Sequence, residues 1–569
     1  PIMLFAVLLY ANMRGIRAVD RIVELCERDI AFIWLTKGEK PQRDTFYAFL
    51  NEKLTKEILE DLHYQFIRIL EKKGLVTLKT LFIDGTKIEA NANRYTFVWR
   101  GTVNYHLAGL LDTIDKLYIR YNQFLESQNY HKDYNLPLET MFVVEGIDKV
   151  KDIIARNRKR KSLNLEKISN NSIIEIGNIS PLKLIELQAN LSRIADAEKI
   201  LFVHGKRNKK SELQKLYEAI EEASTRLLKY KEHFKLMGTD RNSYSKTDIE
   251  ATFMRMKDDH MQNGQLKPAY NVQIAVENYF IIHTYISNDR TDYNTLIPVL
   301  EKFQKKFDLV KPIIIADSGL LSRANIASLK EKNYQYIIGA RIKNSTDEIA
   351  QKILNLKLCE DGQNTLIKKD DGDNLIITYT EKRAKKDAHN RKKGLTRLEK
   401  KVSSGKLSKD KINARGYNKY LTLKNEVNVA IDYDKYNADA SWDGLKGYIT
   451  NTSLSVDAVI ENYSNLWHIE KAFRMSKSDL EIRPIYHFTK RRIEAHISIS
   501  FVAYTVYKEL ERLLYKYEAP FSVQKARDII RNMYQIEIEL PNSKHKEKVL
   551  LNMDEEQQLL LQIVQSEIG

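Results

Sequence analysis

Two short blocks share one design. In "TLFIDG" (80–85) and "PIIIADSG" (312–319), an apolar, β-rich run ends in an acid, with a glycine within two residues. Burying a carboxylate is costly unless it is paired or holds a metal. One such block alone reads equally well as a turn, with Asp84 capping Gly85. Two of them, ending in Asp84 and Asp317, suggest strands that deliver acids toward one place. Two bare carboxylates there repel each other. A divalent cation with hard oxygen ligands removes that conflict. Both strands are therefore expected in one sheet.

The rest of the pattern agrees with a mixed α/β sheet. "LKPAYNVQIAVE" and "YFIIHTYISN" are β-rich runs joined at Asn278, a hairpin signal. Helical and strand segments then alternate through "YNTLIPVLEKFQKKF", "KPIIIADSG", "SRANIASLKEKN" and "YQYIIGAR". β character resumes at "GLKGYITNT" (444–452). A strong helix is expected over 455–477, started by Ser455 and Asp457. Residues 1–75 read as helices with helix–turn–helix-like punctuation, and residues 2–11 as a core helix. The opening proline reads as a fragment lacking its natural start, and the apolar run after it is too short for a membrane span. Helical periodicity over 105–238 indicates an arm. Residues 341–439 interrupt the sheet with a basic segment and short strand candidates such as "NLIITYT" (374–380), and 511–569 is expected to form a small, polar helical tail. At 569 residues the chain has room for two to four domains.

Charge narrows the partner. The net charge of +16 concentrates in "RNRKRK" (156–161), "GKRNKK" (205–210) and "KRAKKDAHNRKKGLTRLEKK" (382–401), which suits a polyanion such as nucleic acid. Solvated helix faces are the alternative. Cys26 and Cys359 are too few and too far apart for a disulfide framework or a CxxC zinc site, which points to a reducing compartment. His260, His283, His468, His487 and His496 lack zinc spacing and are expected to be packed or solvated. Trp442 reads as a core residue, with stacking on an unpaired base as the alternative.

A third acid on a separate element would complete a metal site. Glu470 offers it. Tyr463 and Lys477 lie seven residues to either side, nearly two helical turns, so the three are expected on one helix face, with Leu466, Phe473 and Arg474 close by.

"FIDGTKIEA", "IIIADSG" and "YSNLWHIEKAFRMSK" together resemble the Asp, Asp and Glu motifs of bacterial insertion-sequence transposases of the DDE type. The last is similar to their signature of Tyr, two residues, Arg, three residues, Glu, six residues, Lys. Tyr463, Glu470 and Lys477 match it, while Leu466 stands at the Arg position and Arg474 lies one turn after Glu470. Residues 242–277 resemble the block before the second Asp, and "LEIRPIYHFTKRRIEAHISISFVAY" is similar to a second branch of these enzymes.

The resemblance implies an α/β (mixed) RNase H-like catalytic core with a five-stranded sheet, carried by 76–104, 239–340 and 440–510. It also implies an N-terminal all-helical DNA-binding domain and two large insertions, one helical. Asp84, Asp317 and Glu470 would be catalytic and would hold two Mg²⁺ ions, for which Mn²⁺ could substitute. Tyr463, Arg474 and Lys477 would contact DNA. The partners implied are transposon-end and target DNA, with a homodimer in the DNA complex, no membrane, and a bacterial cytoplasmic location. The implied activity is DNA cleavage and strand transfer. A catalytically inactive DNA-binding descendant, a nuclease or resolvase of the same fold, and a helical scaffold are the alternatives.

Overall fold

The computed structural model describes every residue except 140–179, 206–207, 239–240, 257–263, 308–310, 405–411, 414–415, 424–428, 479, 540–545 and 569. The basic cluster 156–161, part of 205–210, and His260 lie outside the described residues. Among the described residues nine strands form the main sheet: β1 (Thr80–Glu89), β2 (Thr252–Arg255), β3 (Leu266–Glu277), β4 (Phe280–Ser287), β5 (Ile313–Ala316), β6 (Tyr336–Ala340), β7 (Asn364–Lys368), β8 (Asn374–Tyr379) and β9 (Leu445–Thr450).

Their order explains the fold. β4, β3 and β1 are neighbours in an antiparallel meander, and β1 continues in parallel to β5 and then to β6. Three antiparallel strands followed by two parallel ones make the sheet mixed, as expected. The β3–β4 connection is a two-residue turn at Asn278 and Tyr279, both with positive φ (46° and 71°), as a hairpin that matches strand twist requires.

The sheet is larger than the five strands expected. β9 pairs antiparallel with β6, and β8 and β7 follow it outward. The segment 341–439 therefore supplies two strands that extend the sheet, rather than only interrupting it. Ile376 and Ile377 are fully packed on either face of β8, and that burial is what recruits the strand.

Helices cover both faces. On one side, Leu296–Lys306, Arg323–Glu331 and Lys56–Lys72 pack over Leu81, Ile83, Ile314 and Ile338. On the other, Val456–Ser464, Trp467–Ser478 and Lys490–Lys516 pack over Phe82, Ile274, Ile315 and Ile337. Side chains alternate along a strand, so Asp84 and Asp317 emerge on this second face, each two residues beyond a core residue.

Among the described residues the arm has three long helices, Arg100–Ser127, Pro181–Ala197 and Glu212–Met237, around a core of their own that includes Leu111, Tyr121, Leu191 and Ile220. Ser180 and Ser211 cap the second and third, accepting from the Lys183 and Gln214 amides. Phe97–Trp99 pairs with Ser243–Ser245 at the base of the arm. That clip brings the two ends of the arm together, so β1 and β3 can share a sheet across a long insertion.

The C-terminal stretch differs from the expected polar tail. It contains a hairpin, Gln535–Glu539 with Lys546–Leu550, and its helices bury Ala526, Ile529, Leu560 and Ile563 in the main core.

Candidate catalytic site

β1 does not end at Asp84. It runs on to Glu89, with Asp84 opposite Ile274 of β3. Gly85 is correspondingly not a turn residue. A Cβ there would fall 1.9 Å from Gln273 Nε2, so glycine is what admits the Gln273 side chain against the strand.

The parallel register decides the geometry. Ile83 is the partner of Ala316, the last pair of the β1–β5 ladder. Asp84 and Asp317 follow those two residues, so they stand side by side on neighbouring strands, roughly 5 Å apart along the sheet. β5 stops there, and Asp317 leads into the short turn Ser318–Leu320.

Tyr463 fixes one of these acids. It is 5 % exposed, and its hydroxyl donates to Asp317 Oδ1 at 3.0 Å. Burial first, then the negative charges of Asp317 and Asp84, push the phenol far above its ordinary range, so it stays a neutral donor. Tyr463, expected at DNA, has its hydroxyl on Asp317 in this structure. Gly339 makes room for this. A Cβ on that residue would stand 2.5 Å from the Tyr463 hydroxyl and 3.1 Å from the Ser318 amide nitrogen.

The expected single helix over 455–477 is two helices, Val456–Ser464 and Trp467–Ser478. Between them the amides of Leu466, His468 and Ile469 bond three residues back rather than four. That tighter turn advances about 120° per residue instead of 100°. Tyr463 and Glu470 therefore do not share one continuous helix face, although Glu470, Arg474 and Lys477 do share a helix. Leu466 packs against the core at the break, so an arginine's reach is absent there. Arg474 and Glu470 are exposed, and Lys477 is half-buried.

Aromatic contacts aim the second helix. His468 stacks on Tyr279 of the β3–β4 turn, with ring centroids 3.9 Å apart, and meets the Phe82 edge at 6.1 Å. Trp467 also contacts Tyr279 at 5.6 Å, and the Tyr504 hydroxyl donates to the Tyr279 carbonyl. His468 precedes Glu470 by two residues, and Phe82 precedes Asp84 by two. The helix carrying the third acid is thereby pinned to the strand carrying the first. Sequence reasoning missed Tyr279 and Gly339; the strand-turn position of the one and the mid-strand glycine of the other were the available signals.

Lys446, also missed, sits on β9 with its ammonium 4.3 Å from the Tyr463 ring centroid. Burial, then Arg383, lower its pKa, while Asp317 and Glu470 both raise it. One side chain thus senses the second and third acids together. Among the described residues, no group of three His, Cys, Asp or Glu side chains is arranged to hold a metal ion. Mg²⁺ is usually bound by one or two carboxylates plus substrate phosphates and water. The side-by-side pair Asp84 and Asp317 fits that donor set, with Glu470 on the covering helix. Trp442 is half-buried on the cluster around Leu375 and Ile377. His283, His468, His487 and His496 all have lowered pKa values, burial being the largest cause.

Residues 241–506 match the family described as the transposase DDE domain. That span contains Asp317 and Glu470; Asp84 precedes it, beyond the arm. No curated protein matches the sequence. Among solved structures, the chain is similar to a piggyBac transposase synaptic complex with hairpin DNA, with 9 % identity and a TM-score of 0.26 over 47 % of this chain. The matched part spans about half of that transposase, 46 % of its length. Among the described residues no helix is long and apolar enough to cross a membrane.

Proposed function

We propose that this chain, whose residues 241–506 match the transposase DDE domain family, is a transposase that binds the ends of its mobile element and catalyses DNA cleavage followed by strand transfer. The observation that carries this reading is the placement of Asp84 beside Asp317 across the β1–β5 register. Asp84 and Asp317 would hold divalent metal, with Glu470 completing a site; Mg²⁺ is the ion that suits an all-oxygen donor set shared with phosphate. When bound, such ions lower the pKa of an attacking water or 3′-OH and stabilise the leaving oxygen of an in-line phosphoryl displacement.

The chain's own residues do the positioning. Tyr463 orients Asp317 through its hydroxyl, leaving the other carboxylate oxygen for a ligand. The Tyr279–His468 stack holds the Glu470 helix against β1. Arg474 and Lys477, on that helix, would grip phosphates to either side of the bond that breaks. Element-end and target DNA are the substrates, and two copies of the chain would act together to join both ends.

A duplex carrying the sequence that borders the coding region tests the reading. With Mg²⁺ the protein should release a 3′-OH at the element end and then join it to a second duplex, whereas Ca²⁺ should support binding without cutting. Cutting with no joined product would make it a nuclease. Specific binding with no cutting would make it an inactive descendant.

A further inference from the structure

Lys446 has no role in the site as assigned, yet its position is unusual. It lies on β9 and faces the same side of the sheet as Tyr448, two residues on. Its ammonium is 4.3 Å from the Tyr463 ring centroid and 5.3 Å from that of Tyr448, and these rings meet edge to face at 4.8 Å. The charge is thus held against two π-faces. Its Coulomb partners are Asp317 and Glu470, but it forms no salt bridge with any described residue. Its ammonium carries three N–H donors and lies against the Tyr463 ring, whose hydroxyl is bonded to Asp317.

A second cation stands beside it. Arg383, on the helix Glu381–Ser403, bears on Lys446 as a like charge. The same guanidinium lines a cavity of about 470 Å³ whose wall includes Ser318, the residue after Asp317, together with Arg341 and Lys343. Its nearest acid is Asp387, one turn along its own helix at 3.4 Å. Lys446 pairs with Thr378 of β8, and the helix carrying Arg383 begins at Glu381, three residues after Thr378, so the two like charges lie near one strand end and repel. An anion between them removes the repulsion, and a phosphate oxygen is the anion that a phosphoryl-transfer site brings.

We propose that Lys446, assisted by Arg383, binds a non-bridging oxygen of a DNA backbone phosphate next to the Asp84–Asp317 pair. This makes Lys446 a substrate-contacting residue supplied by the strand that precedes the Glu470 helix, separate from Arg474 and Lys477. It rests on the transposase reading for the identity of the ligand. It also gives a role to a half-buried lysine that lies among aromatic rings with no salt bridge to the described residues.

The test measures binding, so it does not depend on cleavage. The probe is a fluorescent duplex of the sequence bordering the coding region, bound to the full chain in Ca²⁺. A series of duplexes carries a single neutral methylphosphonate at each position near the element end. At one position the methylphosphonate should weaken wild-type binding about tenfold and leave Lys446→Met unaffected, because the variant no longer holds that phosphate. Lys446→Arg, which keeps the charge, should retain the wild-type sensitivity there. Arg383→Gln, on a surface helix, should reduce the sensitivity at the same position and serves if Lys446→Met does not fold. The proposal is overturned if Lys446→Met binds every duplex as wild type does, or loses affinity by the same factor at every methylphosphonate. Cutting by wild type in Mg²⁺ on the same duplex, absent in Asp317→Asn, reports separately on the transposase reading.

Discussion

Tyr463 donates its hydroxyl to Asp317 Oδ1 at 3.0 Å, from a helix that covers the sheet face on which Asp317 emerges and that is followed by the helix of Glu470. Removing only that hydroxyl isolates its contribution. Tyr463→Phe should lower the cleavage rate about tenfold by letting the Asp317 carboxylate rotate, at a stability cost of about 1 kcal/mol. Single-turnover cleavage and a denaturant midpoint check the two parts. An unchanged rate would show that Asp317 is oriented without Tyr463.

Gly339 and Tyr463 should behave as one unit. Gly339→Ala places a methyl 2.5 Å from the Tyr463 hydroxyl oxygen, and overpacking of this kind costs roughly 1–3 kcal/mol. Combining it with Tyr463→Phe removes the closest atom, leaving the ring carbon at 3.3 Å and the Ser318 amide at 3.1 Å. The double variant should therefore be more stable than the sum of the two losses, a coupling readable in a thermal-melt cycle.

Asp317→Asn keeps the size of the side chain but removes the charge that a divalent ion requires. Cleavage should fall by at least about 10³-fold, equivalent to about 4 kcal/mol in the barrier. DNA affinity in Ca²⁺ should change less than threefold, as read by fluorescence anisotropy.

Acid should unfold the protein from a higher pH than carboxylates alone dictate. His63 is lowered to about 4, and His283 and His496 to about 3, burial being the largest cause for each. Their ordinary value is 6.5, so the unfolded chain binds protons that the folded one refuses. The stability they contribute is complete above pH 6.5 and is lost as pH falls toward 4 and 3. Each proton contributes about 1.4 kcal/mol per pH unit, so three give a slope of about 4. Urea midpoints between pH 7 and 4.5 measure this, and His496→Gln should flatten the slope.

The exposed lysines of the basic helix Glu381–Ser403, unlike its Arg383, should act at a distance from the chemistry. Lys382, Lys386 and Lys393 are exposed on it. Changing all three to Gln should weaken binding of any duplex and reduce the slope of log K against log salt by about 0.9 for each phosphate that is no longer neutralised. The cutting rate at saturating DNA should stay within twofold of wild type. An unchanged salt slope would make this helix a solvated face.

Local chemistry alone determined much of this molecule. Apolar β runs before Asp84 and Asp317, the turn at Asn278, Ser455 at a helix start and the three candidate acids are readable because each depends on neighbours within a few residues. The tertiary structure decided the rest. Asp84 stands beside Asp317 only because Ile83 pairs with Ala316, a register set between segments separated by the whole helical arm. The helix over 455–477 broke at Asn465 and Leu466 because Leu466 is held by the core and Tyr463 by Asp317, pulls that no helical periodicity encodes. Gly85 read as a possible turn residue after Asp84 and Gly339 carried no reading, because the close approach of Gln273 to the one and of Tyr463 to the other comes from distant segments. β7 and β8 joined the main sheet because β9 offered an open edge and Ile376 and Ile377 gained burial on it. Periodicity reports what a segment prefers by itself, whereas register, close approach and edge pairing are properties of two segments at once, and only folding brings those together.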